Sequence, residues 1–176
     1  MLEFKKNRLI KQAEKEAACL LKKLKALSAK LCLAESCTAG LVSSFLAAVP
    51  GASSVLWGSF VCYTQEAKVR MLGLDEKELS AHGLVSRETA CSMAQGALKK
   101  SNSDSAGGAL IAASVTGLAG PNGDGSNVPV GTVWIAAASQ GGGTAREFHF
   151  KGLRDEVRLL AAIEVMEIIQ EQLTKT

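Results

Sequence analysis

Few aromatic side chains, few histidines and no long apolar run mark this sequence, and each shortage closes off a class of function. Five Phe, two Trp and one Tyr among 176 residues leave too few rings for the stacking platforms that hold single-stranded nucleic acid. The charge balance agrees: 20 basic against 17 acidic residues give a net charge of +3, short of the basic stripe a nucleic-acid partner requires. Two histidines, His82 and His149, with no Cys-x-x-Cys spacing, offer little from which to build a metal site. Although 47% of the residues are apolar, no uninterrupted apolar segment approaches the roughly 20 residues that span a bilayer. The opening Met-Leu-Glu-Phe-Lys-Lys lacks the apolar core of a secretory signal. The five cysteines, Cys19, Cys32, Cys37, Cys62 and Cys91, are odd in number and lie mostly in apolar runs, which fits reduced thiols. The expectation is a soluble cytoplasmic protein with no nucleic-acid or membrane partner, folded as one domain over 1–176.

What is present is organised around residues 31–40, Leu-Cys-Leu-Ala-Glu-Ser-Cys-Thr-Ala-Gly. An apolar run suited to a strand buried on both faces breaks abruptly into small and hydroxyl-bearing residues, and apolar residues resume over 41–49 as a helix that Pro50-Gly51 stops. Such a strand-to-helix corner lies at the carboxyl edge of a sheet, where α/β proteins place ligands and where helix-terminal N–H groups face an oxyanion. Ser36 is therefore a candidate nucleophile. The alternative is that Ser36 or Thr38 merely caps the helix.

Around this corner the chain alternates. Ile10, Ala13, Ala17, Leu20, Leu21, Leu24 and Leu27 recur at helical spacing over 6–28, which predicts an amphipathic helix covering one face of a sheet, its lysines solvated. A β-branched and aromatic run predicts a strand over 55–63, followed by short helices over 65–72, ended by Gly73, and 75–82, ended by Gly83. Ser86 caps a helix over 87–100; a polar turn at 101–107 leads to a strand over 108–115. Residues 117–129 hold four glycines and two prolines and form a loop of the kind that binds something. Strands over 130–139 and 144–150 pair as an antiparallel hairpin about glycines 141–143, and a helix over 155–173 closes the chain. This order predicts a three-layer α/β/α sandwich with a mixed, mostly parallel sheet and a C-terminal antiparallel hairpin.

If the strands before Ser36, Tyr63 and Thr116 run the same way, these residues share one edge. Lys68 then lies about a turn and a half into the short helix after Tyr63, able to point back across that edge. A serine needs a base, and Lys68 is the best available, provided burial or a nearby cation such as Arg154 or Arg158 lowers its pKa. A surface position for Lys68 is the alternative. Tyr63 can relay the proton or orient Lys68, and Glu35 must point away from the pocket. Cys37 is the rival nucleophile or a buried thiol. Arg154, where a strand feeds the last helix, suits a fork-shaped grip on phosphate or carboxylate, or is a surface cation. His82 and His149 read as structural.

Together these pieces resemble the C-terminal domain of the competence-damage-inducible protein CinA, a family that includes stand-alone bacterial nicotinamide mononucleotide amidases. The resemblance runs from about Leu20 to Gln172 and rests on Ala-Glu-Ser-Cys-Thr-Ala-Gly at 34–40, Val-Pro-Gly-Ala-Ser at 49–53, Tyr63 with Glu66-Ala67-Lys68, Gly-Leu-Val-Ser at 83–86, Thr-Gly-Leu-Ala-Gly-Pro at 116–121, Pro-Val-Gly-Thr-Val at 129–133, and Gly152 with Arg154, Val157 and Arg158. It implies hydrolysis of the carboxamide of nicotinamide mononucleotide to nicotinate mononucleotide and ammonia, without metal or organic cofactor, by a homodimer of the α/β/α fold. By the same resemblance Ser36 forms the acyl-enzyme and Lys68 is its base, with Tyr63 beside them. Thr38, Gly40, Thr116, Gly117, Gly120 and Arg154 complete the substrate pocket.

The chain departs from the family pattern at four places. Ala39 replaces the first of two glycines after the Ser-Cys-Thr, Asp124 the second glycine of the loop, Val128 a lysine, and Leu153 the aspartate before Arg154. Asp124 and Val128 weaken any phosphate site in the loop, and Leu153 leaves Arg154 without a carboxylate. These three changes favour a second reading, a nucleotide-binding or regulatory module that keeps the fold and has lost turnover.

Overall fold

The computed structural model describes residues 2–101 and 110–174. Of the polar turn predicted over 101–107, only Ser101 is described, as the last residue of a helix, and the strand start expected at 108 lies outside the described residues. The elements are α1 (Leu2–Ala26), β1 (Lys30–Glu35), α2 (Leu41–Ala47), β2 (Leu56–Val61), α3 (Gln65–Leu72), α4 (Glu76–His82), α5 (Arg87–Ser101), β3 (Leu110–Gly117), β4 (Thr132–Ser139), β5 (Gly142–His149) and α6 (Arg154–Leu173).

The strands form one five-stranded sheet in the order β2-β1-β3-β4-β5. β1 pairs parallel with β2 and β3, and β4 pairs antiparallel with β3 and β5. Four strands therefore share a direction and β4 alone opposes them, which is the mixed, mostly parallel sheet with a terminal hairpin that the sequence predicts. The hairpin turn is tighter than expected: Gly142 and Gly143 already belong to β5. Gly143 stands opposite Ala138, where a Cβ would come within 2.7 Å of the Ala137 carbonyl.

Helices cover both faces. The alternation of side chains along a strand sends Leu31, Leu33, Ile111, Ala113, Val115, Val133 and Ile135 into a core shared with α1, α2 and α6. Cys32, Ala34 and Ala112 pack on the opposite face against Met93 and Ala97 of α5 and against Leu72 and Leu79. The alanines of α5, at 90, 94 and 97, are fully buried and let this helix lie close over the sheet.

One layer differs from expectation. α1 packs on α6 and α2 rather than directly on the sheet. The reason lies in α6, whose buried residues include Val157, Leu159, Ala161, Ala162, Ile163, Val165, Met166, Ile168 and Ile169. A helix apolar over that much of its circumference is buried on two sides, so α6 takes the sheet face and α1 covers α6.

A buried carboxylate ties β1, α2 and β2 together. Glu35, at the end of β1, is 1% exposed and accepts hydrogen bonds from the Thr38 hydroxyl at 2.8 Å, the Val42 and Ser43 amides at 3.1 and 2.9 Å, and the Ser59 hydroxyl of β2 at 3.2 Å. It thus supplies the first turn of α2 with an acceptor and a negative charge, both favourable at a helix N-terminus. Removing it strands several buried donors, each costing about 1–3 kcal/mol. Glu35→Ala is therefore expected to lower stability to urea by on the order of 3 kcal/mol or more, and Glu35→Gln, which keeps one acceptor oxygen, by less.

Candidate active site

Because β1, β2 and β3 are parallel and in register, with Glu35 opposite both Val61 and Val115, their carboxyl ends share one edge. From β1 the chain crosses to β2 through α2 on one face, and from β2 to β3 through α3, α4 and α5 on the other. The gap between β1 and β3 is therefore a topological switch point, where open α/β sheets hold their ligands. Ser36 and Thr116 flank it, and Tyr63 lies two residues beyond the edge strand β2.

The corner at Ser36 is built from backbone bonds. The Ser36 amide donates to the Val115 carbonyl at 2.9 Å, the Ala39 amide to the Ser36 carbonyl at 3.1 Å, and the Leu41 amide to the Thr38 carbonyl at 3.2 Å. Ala39 and Gly40 take positive φ values of 50° and 88°. Gly40 is the N-cap of α2 and has no side chain with which to cap it. The capping role expected of Ser36 or Thr38 is thus filled by Glu35, which turns toward α2 and away from the pocket, as required. The Ser36 hydroxyl is left for another partner.

That partner is Lys68. Thr64 caps α3 by accepting from the Ala67 amide at 3.1 Å, so the helix starts immediately after the β2 edge and its first turn directs Lys68 back across it. Lys68 Nζ donates to Ser36 Oγ at 2.9 Å and to the Cys62 carbonyl at 3.1 Å. Lys68 is 1% exposed, which excludes a surface position. Burial pushes its pKa below the ordinary value of 10.5, because an ammonium loses hydration there. Ionised sulfur at Cys62 or Cys37 would oppose this shift, but burial raises these thiols to about 11 and about 12, so both stay neutral. The arginines expected to lower the lysine pKa are engaged elsewhere, and burial is the cause.

Arg154 donates to the Tyr63 hydroxyl at 2.6 Å and to the Gly120 carbonyl at 2.7 Å. The missing aspartate at 153 therefore does not leave this guanidinium unbound. Tyr63, expected to relay the proton or orient Lys68, accepts from Arg154 through its hydroxyl and lines the same cavity as Lys68. Arg158 donates to the carbonyls of Cys37 and Thr38 at 3.1 and 2.7 Å, a role its place in the sequence did not suggest.

A cavity of about 210 Å³ opens on this edge, with Ser36, Cys37, Tyr63, Lys68, Thr116, Gly117 and Arg154 in its wall. Thr38, Gly40 and Gly120, expected at the substrate, do not line it: Thr38 is fully buried with its hydroxyl on Glu35, Gly40 caps α2, and Gly120 acts through its carbonyl on Arg154. Thr116 donates its hydroxyl to the Leu84 carbonyl at 2.7 Å. Sequence reasoning missed the apolar wall of Leu84, Val85, Leu118 and Ala119; the run Gly-Leu-Val-Ser at 83–86 was the available signal. Asp124 also lines the cavity, its Oδ1 accepting from the Ser126 hydroxyl and amide at 2.6 and 2.9 Å, bonds that hold its carboxyl below the ordinary carboxylate value. A larger groove, of about 590 Å³, runs beside α4 and α5, and neither Ser36 nor Lys68 lines it.

The histidines stand apart. His82 pairs with Glu78 at 3.3 Å, and His149 Nδ1 lies 3.2 Å from the Thr132 hydroxyl. Among the described residues, no helix is long and apolar enough to cross a membrane.

Comparison with known proteins agrees with this architecture. The chain is 43% identical over 143 residues to a CinA-like protein of Geobacter metallireducens, covering 81% of this chain and 33% of that protein. It is 39% identical over 157 residues to a CinA-like protein of Syntrophomonas wolfei, covering 89% and 35%. It thus spans about a third of the length of the curated relatives it matches. Among solved structures, the competence/damage inducible protein CihA from Agrobacterium tumefaciens superposes with a TM-score of 0.84 at 34% identity, covering 93% of this chain and 96% of that one. A CinA superfamily protein from Klebsiella pneumoniae superposes with a TM-score of 0.86 at 27% identity, covering 93% and 99%. The profile of the CinA C-terminal domain matches residues 13–173, and with the fold and these relatives in agreement, the chain belongs to the CinA C-terminal domain family.

Proposed function

We propose that this domain is a serine–lysine amidohydrolase whose substrate is the carboxamide of nicotinamide mononucleotide. The observation that carries the reading is the 2.9 Å contact between Ser36 Oγ and the buried Lys68 Nζ in the wall of a cavity on the sheet edge. A buried amine whose pKa is lowered by burial is a competent base for a hydroxyl nucleophile once deprotonated. The choice of substrate rests on the family resemblance in the sequence, which also carries the expectation of one amidase domain working as a homodimer.

In this mechanism Ser36 Oγ attacks the carboxamide carbon while its proton passes to Lys68 Nζ. The carbonyl oxygen becomes an oxyanion. Of the amides at the corner, those of Ser36, Ala39, Leu41, Val42 and Ser43 are already bonded; of the remaining residues Cys37, Thr38 and Gly40, Cys37 alone lines the cavity, so its N–H is assigned as the oxyanion donor. The tetrahedral intermediate collapses, the C–N bond breaks and the departing nitrogen takes the proton from Lys68, leaving as ammonia. Water, deprotonated by Lys68, then hydrolyses the acyl-enzyme to the carboxylate and restores Ser36. The cavity, about 210 Å³, is smaller than the roughly 300–1,000 Å³ that encloses a whole drug-sized ligand. It encloses the amide end, and the phosphoribosyl part extends outward past Arg154.

A non-catalytic nucleotide-binding module is the second reading, favoured by Asp124 in the cavity wall. Ammonia release separates the two. On the enzyme reading, Ser36→Ala and Lys68→Ala each lower kcat for nicotinamide mononucleotide by on the order of 10³-fold or more; a binder releases no ammonia even when intact.

The pH profile follows from the buried amine. Only the neutral amine acts as base, so kcat/KM rises as pH passes upward through the Lys68 pKa, with a midpoint below the 10.5 of an ordinary lysine. Cys37, raised to about 12, contributes no limb. Activity of Cys37→Ala and resistance of the intact protein to a thiol-alkylating reagent at neutral pH check that assignment.

Asp124 opposes a phosphate on electrostatic grounds. Asp124→Asn is expected to lower KM for the mononucleotide by about two- to five-fold at low salt, an effect that fades as ionic strength shortens the screening length to roughly 8 Å or less. Steady-state kinetics at two salt concentrations measure it.

A further inference from the structure

We propose that Arg158 is a positioning residue for the oxyanion donor, an inference that rests on the serine–lysine reading above. Arg158 does not line the cavity and reaches the reaction only through the backbone. Its Nε donates to the Cys37 carbonyl at 3.1 Å and its terminal nitrogen to the Thr38 carbonyl at 2.7 Å, a pair of contacts that suits the rigid fork of a guanidinium.

The consequence follows from peptide planarity. In a trans peptide the C=O and N–H point in opposite directions, so fixing one aims the other. The Thr38 carbonyl shares its peptide with the Ala39 N–H, and that N–H donates to the Ser36 carbonyl at 3.1 Å. The Ser36 carbonyl in turn shares its peptide with the Cys37 N–H, the oxyanion donor. Arg158 also grips the peptide between these two, through the Cys37 carbonyl. One side chain from α6 therefore sets the orientation of three consecutive peptide units, the first of which carries the donor.

The corner needs such an external hold. Ala39 sits at φ 50°, a region that residues with a Cβ rarely adopt, where the resembled family carries glycine. Glu35 braces the corner from the α2 side through the Thr38 hydroxyl at 2.8 Å, but none of its contacts touches the peptides of Ser36 and Cys37. Arg158 alone of the two acts on the carbonyls that aim the donor.

The test uses a fluorophosphonate probe, which bonds Ser36 Oγ to phosphorus, releases fluoride and passes the serine proton to Lys68. Its transition state places charge on the phosphoryl oxygen in the oxyanion position, so labelling reads the donor without amide turnover. Labelling rates, kcat and KM for nicotinamide mononucleotide, and melting temperatures are compared for the intact protein, Arg158→Lys and Arg158→Ala, with Ser36→Ala as the unlabelled control.

The expected result is that Arg158→Ala slows both labelling and kcat by about 10- to 100-fold, below the loss from deleting an oxyanion donor outright. KM should stay within about two-fold, as for an interaction felt only in the transition state. Arg158→Lys, which can serve one carbonyl but not the fork, should fall between. If Arg158→Ala fails to fold, Arg158→Lys decides alone. Labelling and kcat within two-fold of the intact protein, or a loss confined to KM, overturn the assignment. An intact protein that labels at Ser36 yet releases no ammonia sinks the choice of substrate while the Arg158 comparison stands; an intact protein that does not label overturns both.

Discussion

A lysine amine buried against a serine hydroxyl is the constraint on which the rest of this structure depends. Lys68 is 1% exposed, and because an ammonium loses hydration at that depth, burial lowers its pKa from the ordinary value. The surroundings are consistent with a neutral amine. The sulfurs of Cys37 and Cys62 remain protonated because burial raises their pKa values. The Glu35 carboxylate, one residue from the serine, is turned onto the first turn of α2. What remains beside the amine is the Cys62 carbonyl and the Ser36 hydroxyl, one acceptor and one group able to give up a proton.

Each charged side chain near the site is tied to backbone or hydroxyl partners rather than to an opposite charge. Glu35 and Arg158 grip the nucleophile corner from two sides, one through donors and the other through carbonyls. Arg154 bridges Tyr63 and Gly120, residues that follow different strands of the sheet. This pattern fixes geometry without forming buried ion pairs, whose desolvation often cancels their attraction. Asp124 follows the same pattern within its own loop, through the Ser126 hydroxyl and amide, and its charge faces whatever the cavity receives.

Much of the fold was legible locally. Strand and helix periods, the Pro50-Gly51 and Gly73 stops and the Ser86 cap are statements about residues within a turn of one another, and the structure reproduces the elements to within a few residues. Departures arose where an element's surroundings, not its own pattern, decided the outcome. The spacing in α1 says that one face is buried but not against what, and the breadth of the apolar surface on α6 placed α1 behind that helix rather than on the sheet.

The amino-acid sequence by itself determined which chemical groups stand at strand ends: a serine one residue past β1, a lysine in the first turns of the helix after β2, a threonine and glycine at the end of β3. Spacing and propensity suffice for that, because chain direction and hydrogen-bonded turns are local. The tertiary structure decided what those groups do. It buried Lys68, assigned the helix cap to Glu35 instead of Ser36 or Thr38, gave the Tyr63 hydroxyl to Arg154, and laid Arg158 across carbonyls 120 residues away in sequence. Burial and long-range hydrogen bonds depend on how sheet, corner and C-terminal helix pack together in three dimensions, and no local pattern encodes that distance.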